Sequence, residues 1–295
     1  MSYKQSPKVK YPDDYLVSPD AEWELVAHAD DCIVLEGINF VGDDLWLLDT
    51  GRGRILKVEG DRVVVALQCE KGMPNGMRPL DDHTILVADR ILGLCTYDTI
   101  TSEYEVRCTG LPDAPFIHID DLVLDGRGGA YITDPGGSNY TNPFGRVFYV
   151  RYGDGSYECE EFLNGIAFPN GITLSPDGIF VYVAEFSSNT IICAPSKLYD
   201  DDKEAPYAFA RLVGGIGPDG LITDKEGNIY AAHLHAGEVV AFDKKGWPIA
   251  EIRLPECAGV VNTNLCIHDG YLYTCELEKG DVWRIPIKAE QHQLS

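Results

Sequence analysis

Six short segments of this chain place an oxygen-bearing polar side chain at the head of an apolar run. They are Glu36 in LEGINFV, Asn75 in PNGMRPL, Asp120 in IDDLVLD, Asn170 in PNGITLS, Asp219 in PDGLITD and Asn264 in NTNLCIH. Successive members lie 39, 45, 50, 49 and 45 residues apart. Turn chemistry alone could place Asn75 and Asn264, because Asn is an ordinary turn residue, above all before Gly as at Asn75. It does not account for Glu36, a poor turn residue between Leu35 and Gly37. If the fold gathers the six, three carboxylates stand together and repel one another unless a cation sits among them. Donors that are all oxygen favour a hard ion such as Ca2+ or Mg2+, with Mn2+ as a softer choice.

Each segment heads a longer repeated phrase: an Asp-bearing turn, usually with Gly, a β-rich run, and a second β-rich run some residues later. The copies are GDDLWLLDT with RGRILKVEG, DDHTILVADR with LGLCTYDT, DGRGGAYITDP with FGRVFYVRYGDG, SPDGIFVYVAE with SNTIICAPS, DKEGNIYAAH with GEVVAFDKKG, and HDGYLYTCE with GDVWRIPI. Their β-branched and aromatic content reads as strands. A period of about 40–50 residues with three or four strands per unit predicts an all-β, six-bladed β-propeller. A β-sandwich is the plain rival, but it does not call for six copies in phase. The reading makes residues 1–295 one domain, with 1–10 a flexible segment and residues 11–35 supplying a strand that closes the ring. If every leading segment is an innermost strand starting at one face, Glu36, Asn75, Asp120, Asn170, Asp219 and Asn264 encircle one end of the central channel. The loop over 135–145 and the turn at His233–His235 then overhang that end.

Charge and composition exclude several functions. With 24 Lys and Arg against 47 Asp and Glu, the net charge is -23, which repels phosphate backbones and anionic membranes. No apolar run approaches the roughly 20 residues of a membrane helix, and the polar opening MSYKQSPKVK does not read as a secretion leader. The nine cysteines are scattered and never CxxC, which suits buried thiols in a cytoplasmic protein. GIGPDG at 215–220 fits GxGxxG but leads into a strand, so a dinucleotide site is not expected. There is no GxSxG, P-loop or HExxH. His233 and His235 share one side of an extended segment, where a pocket-lining role outweighs metal ligation. The acidic run at 200–204 reads as a solvated loop.

The segments LEGINF, DDLVLDGRGGAYITDP, FPNGITLSPDG, GPDGLITDKEGNIYAA and TNLCIHDGYLYT resemble, in order, the motifs of the SMP-30/gluconolactonase (LRE-like) family. TDPGGSNYTNPFGRVFYV and KKGWPIAEIRLPE look more like its drug-responsive lactonase branch. The likeness runs from about Glu36 to Pro286. It implies a six-bladed propeller, hydrolysis of lactones, and one divalent metal ion, with Ca2+ first and Mg2+, Mn2+ or Zn2+ as alternatives. Carried over by motif, the metal ligands are Glu36, Asn170 and Asp219, and Asp219 is also the general base. The family usually has Asn at the position of Asp120, and gluconolactonases often have Arg at that of His118. Asp120 is therefore open as a fourth ligand, an alternative base or a substrate contact, and His118 as base or substrate contact. Substrate-binding positions are Asn75, His118, Asp120 and Tyr140. The expected chemistry is a cation-polarised lactone carbonyl attacked by a water that gives its proton to a carboxylate. A phosphotriesterase-like hydrolase of similar architecture and a non-catalytic binding propeller with a structural metal are the alternatives. The partner is a small-molecule lactone, with no nucleic acid and no membrane.

Overall fold

The structure, a computed structural model, describes residues 15–153, 155–199 and 205–292; the expected flexible segment at 1–10 and the acidic run at 200–204 lie outside them. The described chain is almost wholly β: twenty-four strands and two short 3-10 turns, Thr50–Arg52 and Phe186–Ser188. The strands run in antiparallel four-strand meanders. The first is Leu35–Val41, Asp44–Asp49, Arg54–Glu59 and Arg62–Gln68, and the later copies of the repeat build the same order.

Burial grades outward through each meander. Second strands such as Gly129–Asp134 and Thr84–Asp89 are covered over nearly their whole length, which is why they read as continuous apolar runs. Fourth strands such as Tyr104–Cys108 and Pro248–Arg253 are mostly open. Apolar clusters lie between successive meanders. Leu48, Ile55, Met77, Ile85 and Val87 join the first two, and Leu35, Leu47, Cys266, Tyr273 and Val282 join the last to the first. That last cluster closes a ring, the arrangement of a β-propeller. The closing strand expected from residues 11–35 is Glu24–His28, paired antiparallel with Asp281–Pro286.

One expectation changes. The meanders form five hydrogen-bonded sheets, four of four strands and one of eight. The merger has a local cause, a single parallel pairing of His28 with Arg62 that joins the closing strand to the outer strand of the first meander.

Candidate functional site

Each leading polar residue lies at an irregularity of its innermost strand. Pairing slips between Glu36 and Asn39, Pro74 and Gly76, Pro169 and Ile172, Pro218 and Leu221, and Asn262 and Asn264. In the third meander the regular ladder starts only at Leu122. Such bulges re-aim a side chain out of the pleat, and here they turn the polar heads toward one another. Where a glycine follows, at Gly37, Gly76, Gly171 and Gly220, it allows close approach. A Cβ on Gly37 would lie 2.8 Å from the Asn75 carbonyl oxygen, and one on Gly171 only 2.2 Å from that of Asp219.

The six heads make one buried ring; all are at most 8% exposed. Asn75 Nδ2 donates to Asp120 Oδ1 at 2.8 Å, and Asn264 Nδ2 donates to Glu36 Oε2 at 3.2 Å, linking last to first. The Asn170 side chain hydrogen-bonds Asp219, and the Ile172 backbone bonds Asp121. The structure thus brings the six leading residues together.

Four partners were not picked out from sequence. Thr50 Oγ1 donates to Asn75 Oδ1 at 3.0 Å. Arg90 Nη1 donates to Asp120 Oδ2 at 3.1 Å. Asp121, buried beside Asp120, faces Arg78 with Nη1 at 3.4 Å from its Oδ1. Both Asp120 oxygens are thus engaged by protein donors. The repeat also carries a signal for the frame beneath them, because the first β-run of every copy ends on Asp, Glu or His. Asp49 accepts from the Ile33 and Val34 amides, Asp89 from Met73, Asp134 from Ile117 and His118, and Glu185 from Ala167. These buried or half-buried carboxylates fix the chain just before Glu36, Asn75, Asp120 and Asn170.

The ring is electrostatically loaded. Burial pushes the Glu36 carboxyl up to about 8, and the Asp120 charge adds to it. Burial likewise raises Asp120 to about 6, against the opposing pull of Arg90. Asp219 is held well above the ordinary carboxylate range, by burial first and then by Glu36 and Asp120. Among the described residues neither Glu36 nor Asp219 is bonded to a cationic side chain; their side-chain partners are carboxamides. Two buried carboxylates and a carboxamide without counter-charge fit a hard divalent cation. Among the described residues no three His, Cys, Asp or Glu side chains cluster so as to hold a metal ion, so Glu36, Asp120 and Asp219 do not form an all-carboxylate cage.

The outlying candidates separate from the ring. His118 is exposed, with its amide on Asp134, and Tyr140 is 72% exposed. His233 is buried, with Nδ1 3.2 Å from Glu238 Oε1 and Nε2 3.1 Å from the Gly214 carbonyl oxygen. His235 is exposed with φ at 60°, so the two histidines do not pair. A cavity of about 250 Å3 opens at the other end of the inner strands, lined by Phe40, Arg78, Thr173, Leu221, His268 and His292 and by none of the ring residues. No helix among the described residues is long and apolar enough to cross a membrane.

A closed β-propeller with a ring of buried oxygen donors at one channel end is the class of protein that fold and site define. The chain belongs to the SMP-30/Gluconolactonase/LRE-like family, whose model matches residues 34–274. It is similar to lactonase drp35 of Staphylococcus haemolyticus, 30% identical over 242 residues that cover 77% of this chain and 71% of that protein. Lactonase drp35 of Staphylococcus aureus is 35% identical over 238 residues, 75% of this chain and 70% of that one. Solved structures with a similar fold include a gluconolactonase from Xanthomonas campestris, with TM-score 0.75, 18% identity and coverage of 97% and 99%. The calcium-binding protein regucalcin from Agrobacterium tumefaciens has TM-score 0.73, 19% identity and coverage of 91% and 97%.

Proposed function

We propose that the chain is a metal-dependent lactonase built on six blades, the eight-stranded sheet being two blades joined at His28 and Arg62. Six apolar clusters, each shared by two successive meanders, support that count. Lactone hydrolysis rests on family membership and on the relatives named lactonase and gluconolactonase. The observation that carries the site is the pair of buried carboxylates, Glu36 and Asp219, that face each other's charge with only carboxamides as side-chain partners.

In this reading Glu36, Asn170 and Asp219 hold the divalent cation, Ca2+ first. The cation supplies Lewis-acid polarisation of the lactone carbonyl. Asp219 receives a proton from the attacking water as the water oxygen bonds to the acyl carbon. The ring C–O bond then breaks, and the proton held by Asp219 passes to the departing alkoxide, giving a hydroxy acid. One water is consumed and the ring is opened. Asp120 is fixed by Asn75 and Arg90 on both oxygens, which fits a positioning role better than that of base or fourth ligand. His118, on the exposed rim, is the weaker base candidate. Asn75 orients Asp120, and His118 and Tyr140 stand where an entering substrate passes.

The test is turnover of a panel of lactones after exhaustive chelation and after Ca2+, Mg2+, Mn2+ or Zn2+ is restored. Ring opening that depends on the cation supports the reading. Full activity with no metal by elemental analysis removes the metal, and no turnover with any cation leaves a binding propeller instead.

A further inference from the structure

Each second strand carries an Asp, Glu or His at or next to its end, and the residue after it is in turn Thr50, Arg90, Pro135, Phe186, Leu234 and Leu277. They hold the same place in the meander. The amides of Thr50, Arg90 and Phe186 all bond the carbonyl oxygen two residues before a ring head, at Val34, Met73 and Phe168. Two of these side chains reach the ring head of the next meander, Thr50 to Asn75 and Arg90 to Asp120. Thr50 and Arg90 thus bring one hydroxyl and one guanidinium against the oxygen ring.

Arg90 is held in place with some care. The Asp89 carboxylate accepts from the Met73, Ile91 and Leu92 amides, each at 2.9 Å, and from the Tyr104 hydroxyl at 2.9 Å. That fixes the turn from which Arg90 projects. Its side chain is 27% exposed while Asp120 is only 4%, so the guanidinium bridges the buried ring and the open mouth. Asp120 engages Nη1. A guanidinium offers five N–H donors in a planar fork matched to a carboxylate.

We propose that Arg90 is the residue that receives the acyl end of the substrate and holds the carboxylate formed when the ring opens. This rests on the lactonase reading above. A lactone is neutral and its product carries a single carboxylate at the acyl carbon, so one partly exposed guanidinium beside the ring can serve both states.

The test compares wild type, Arg90→Met, Arg90→Lys and the pair Arg90→Met/Asp120→Asn, the last removing both partners so that no carboxylate is orphaned. Dihydrocoumarin is the substrate and its hydroxyphenylpropanoate product the ligand, with binding followed by calorimetry and product inhibition by kinetics. Loss of a charge-assisted contact is expected to raise KM and product Ki together by about tenfold or more, a larger change than that in kcat. Arg90→Lys recovers part of it. The double variant keeps the product-binding loss, with melting temperatures confirming the folded state of each protein. Unmoved KM and Ki, or a product affinity restored in the double variant, overturns the proposal. Product binding is measured without turnover, so a wild type that binds the acid through Arg90 yet opens no lactone refutes the lactonase reading and upholds the contact.

Discussion

The loaded ring makes stability depend on pH in an unusual direction. A carboxyl whose folded pKa is raised stabilises the fold below its unfolded pKa and loses that contribution as pH climbs through the folded value. Asp120 goes from the ordinary 3.8 to about 6, about two units or roughly 3 kcal/mol. Glu36 goes from 4.5 to about 8, and Asp219 moves the same way. The three share one repulsion, so their effects do not add; a loss on the order of 5 kcal/mol, or roughly 10 °C in Tm, is expected in metal-free protein between about pH 4.5 and 8.5, the Asp120 share going first and the Glu36 share last. Exposed carboxyls with lowered values, such as Asp81, Asp98 and Asp177, act in the opposite sense but have finished titrating below this window. Cys108 does not: the Cys159 hydrogen bond lowers it to about 6, so the thiolate favours the fold as pH rises. A Cys108→Ser background removes that contribution. The assay is thermal melting across the window, in chelator and again with saturating Ca2+. The cation binds the ionised carboxylates, so it should flatten or reverse the slope and stabilise most at the alkaline end. A metal-free Tm that stays level or rises over the window would refute the reasoning.

Further outcomes are expected of single substitutions. Asp219→Asn keeps size and one ligand oxygen but removes the proton acceptor, so turnover should fall by about 100- to 10,000-fold with cation still bound at reduced affinity; near-native kcat would reassign the base. Gly171→Ala drives a Cβ against the Asp219 carbonyl oxygen at 2.2 Å, and should cost about 1–3 kcal/mol by denaturant titration and weaken cation binding. Asp120→Asn sets an amide against donors from Asn75 and Arg90. It should shift the ratio of kcat/KM between gluconolactone and dihydrocoumarin; a strong preference for gluconolactone left unmoved would make the position neutral.

The ring was legible in sequence because its cause is local and repeated. A polar head before an apolar run recurs in phase, in four of the six copies with a glycine after the head, and the period that names the fold also aligns the heads at one face. What escaped is what depends on distance between meanders. Nothing about Arg90 in VADRILG marks it as a partner of Asp120, thirty residues on; only the stagger of adjacent meanders shows that the residue past one second strand overlies the next head. Thr50 reached Asn75 by the same route and was equally silent. The bulges were hidden too, since Asn-Gly and Asp-Gly read as turns ending a strand when here they interrupt one. His233 and His235 failed for the opposite reason. Alternation placed them on one side of a strand, but the strand ends at Leu234 and His235 turns left-handed.

The distribution of charge over the two tiers bears on why the lower one tolerates its carboxylates. Asp120 has a guanidinium and an amide, Asp121 has Arg78, and the acids beneath the ring are met by backbone amides. Compensation is thus general around the channel, and it stops at Glu36 and Asp219. A fold under selection for stability alone gains by neutralising those two as it did the others, since an unpaired buried carboxylate costs several kcal/mol. Leaving two adjacent acids in the ring without a cationic side chain, when Asp120 and Asp121 each have an arginine, is the kind of local inconsistency that marks a functional position. The same contrast separates the two neighbouring aspartates in role: Asp120 is tethered on both oxygens and suited to hold geometry, whereas Asp219, met by one carboxamide, keeps an oxygen available for a cation or a proton.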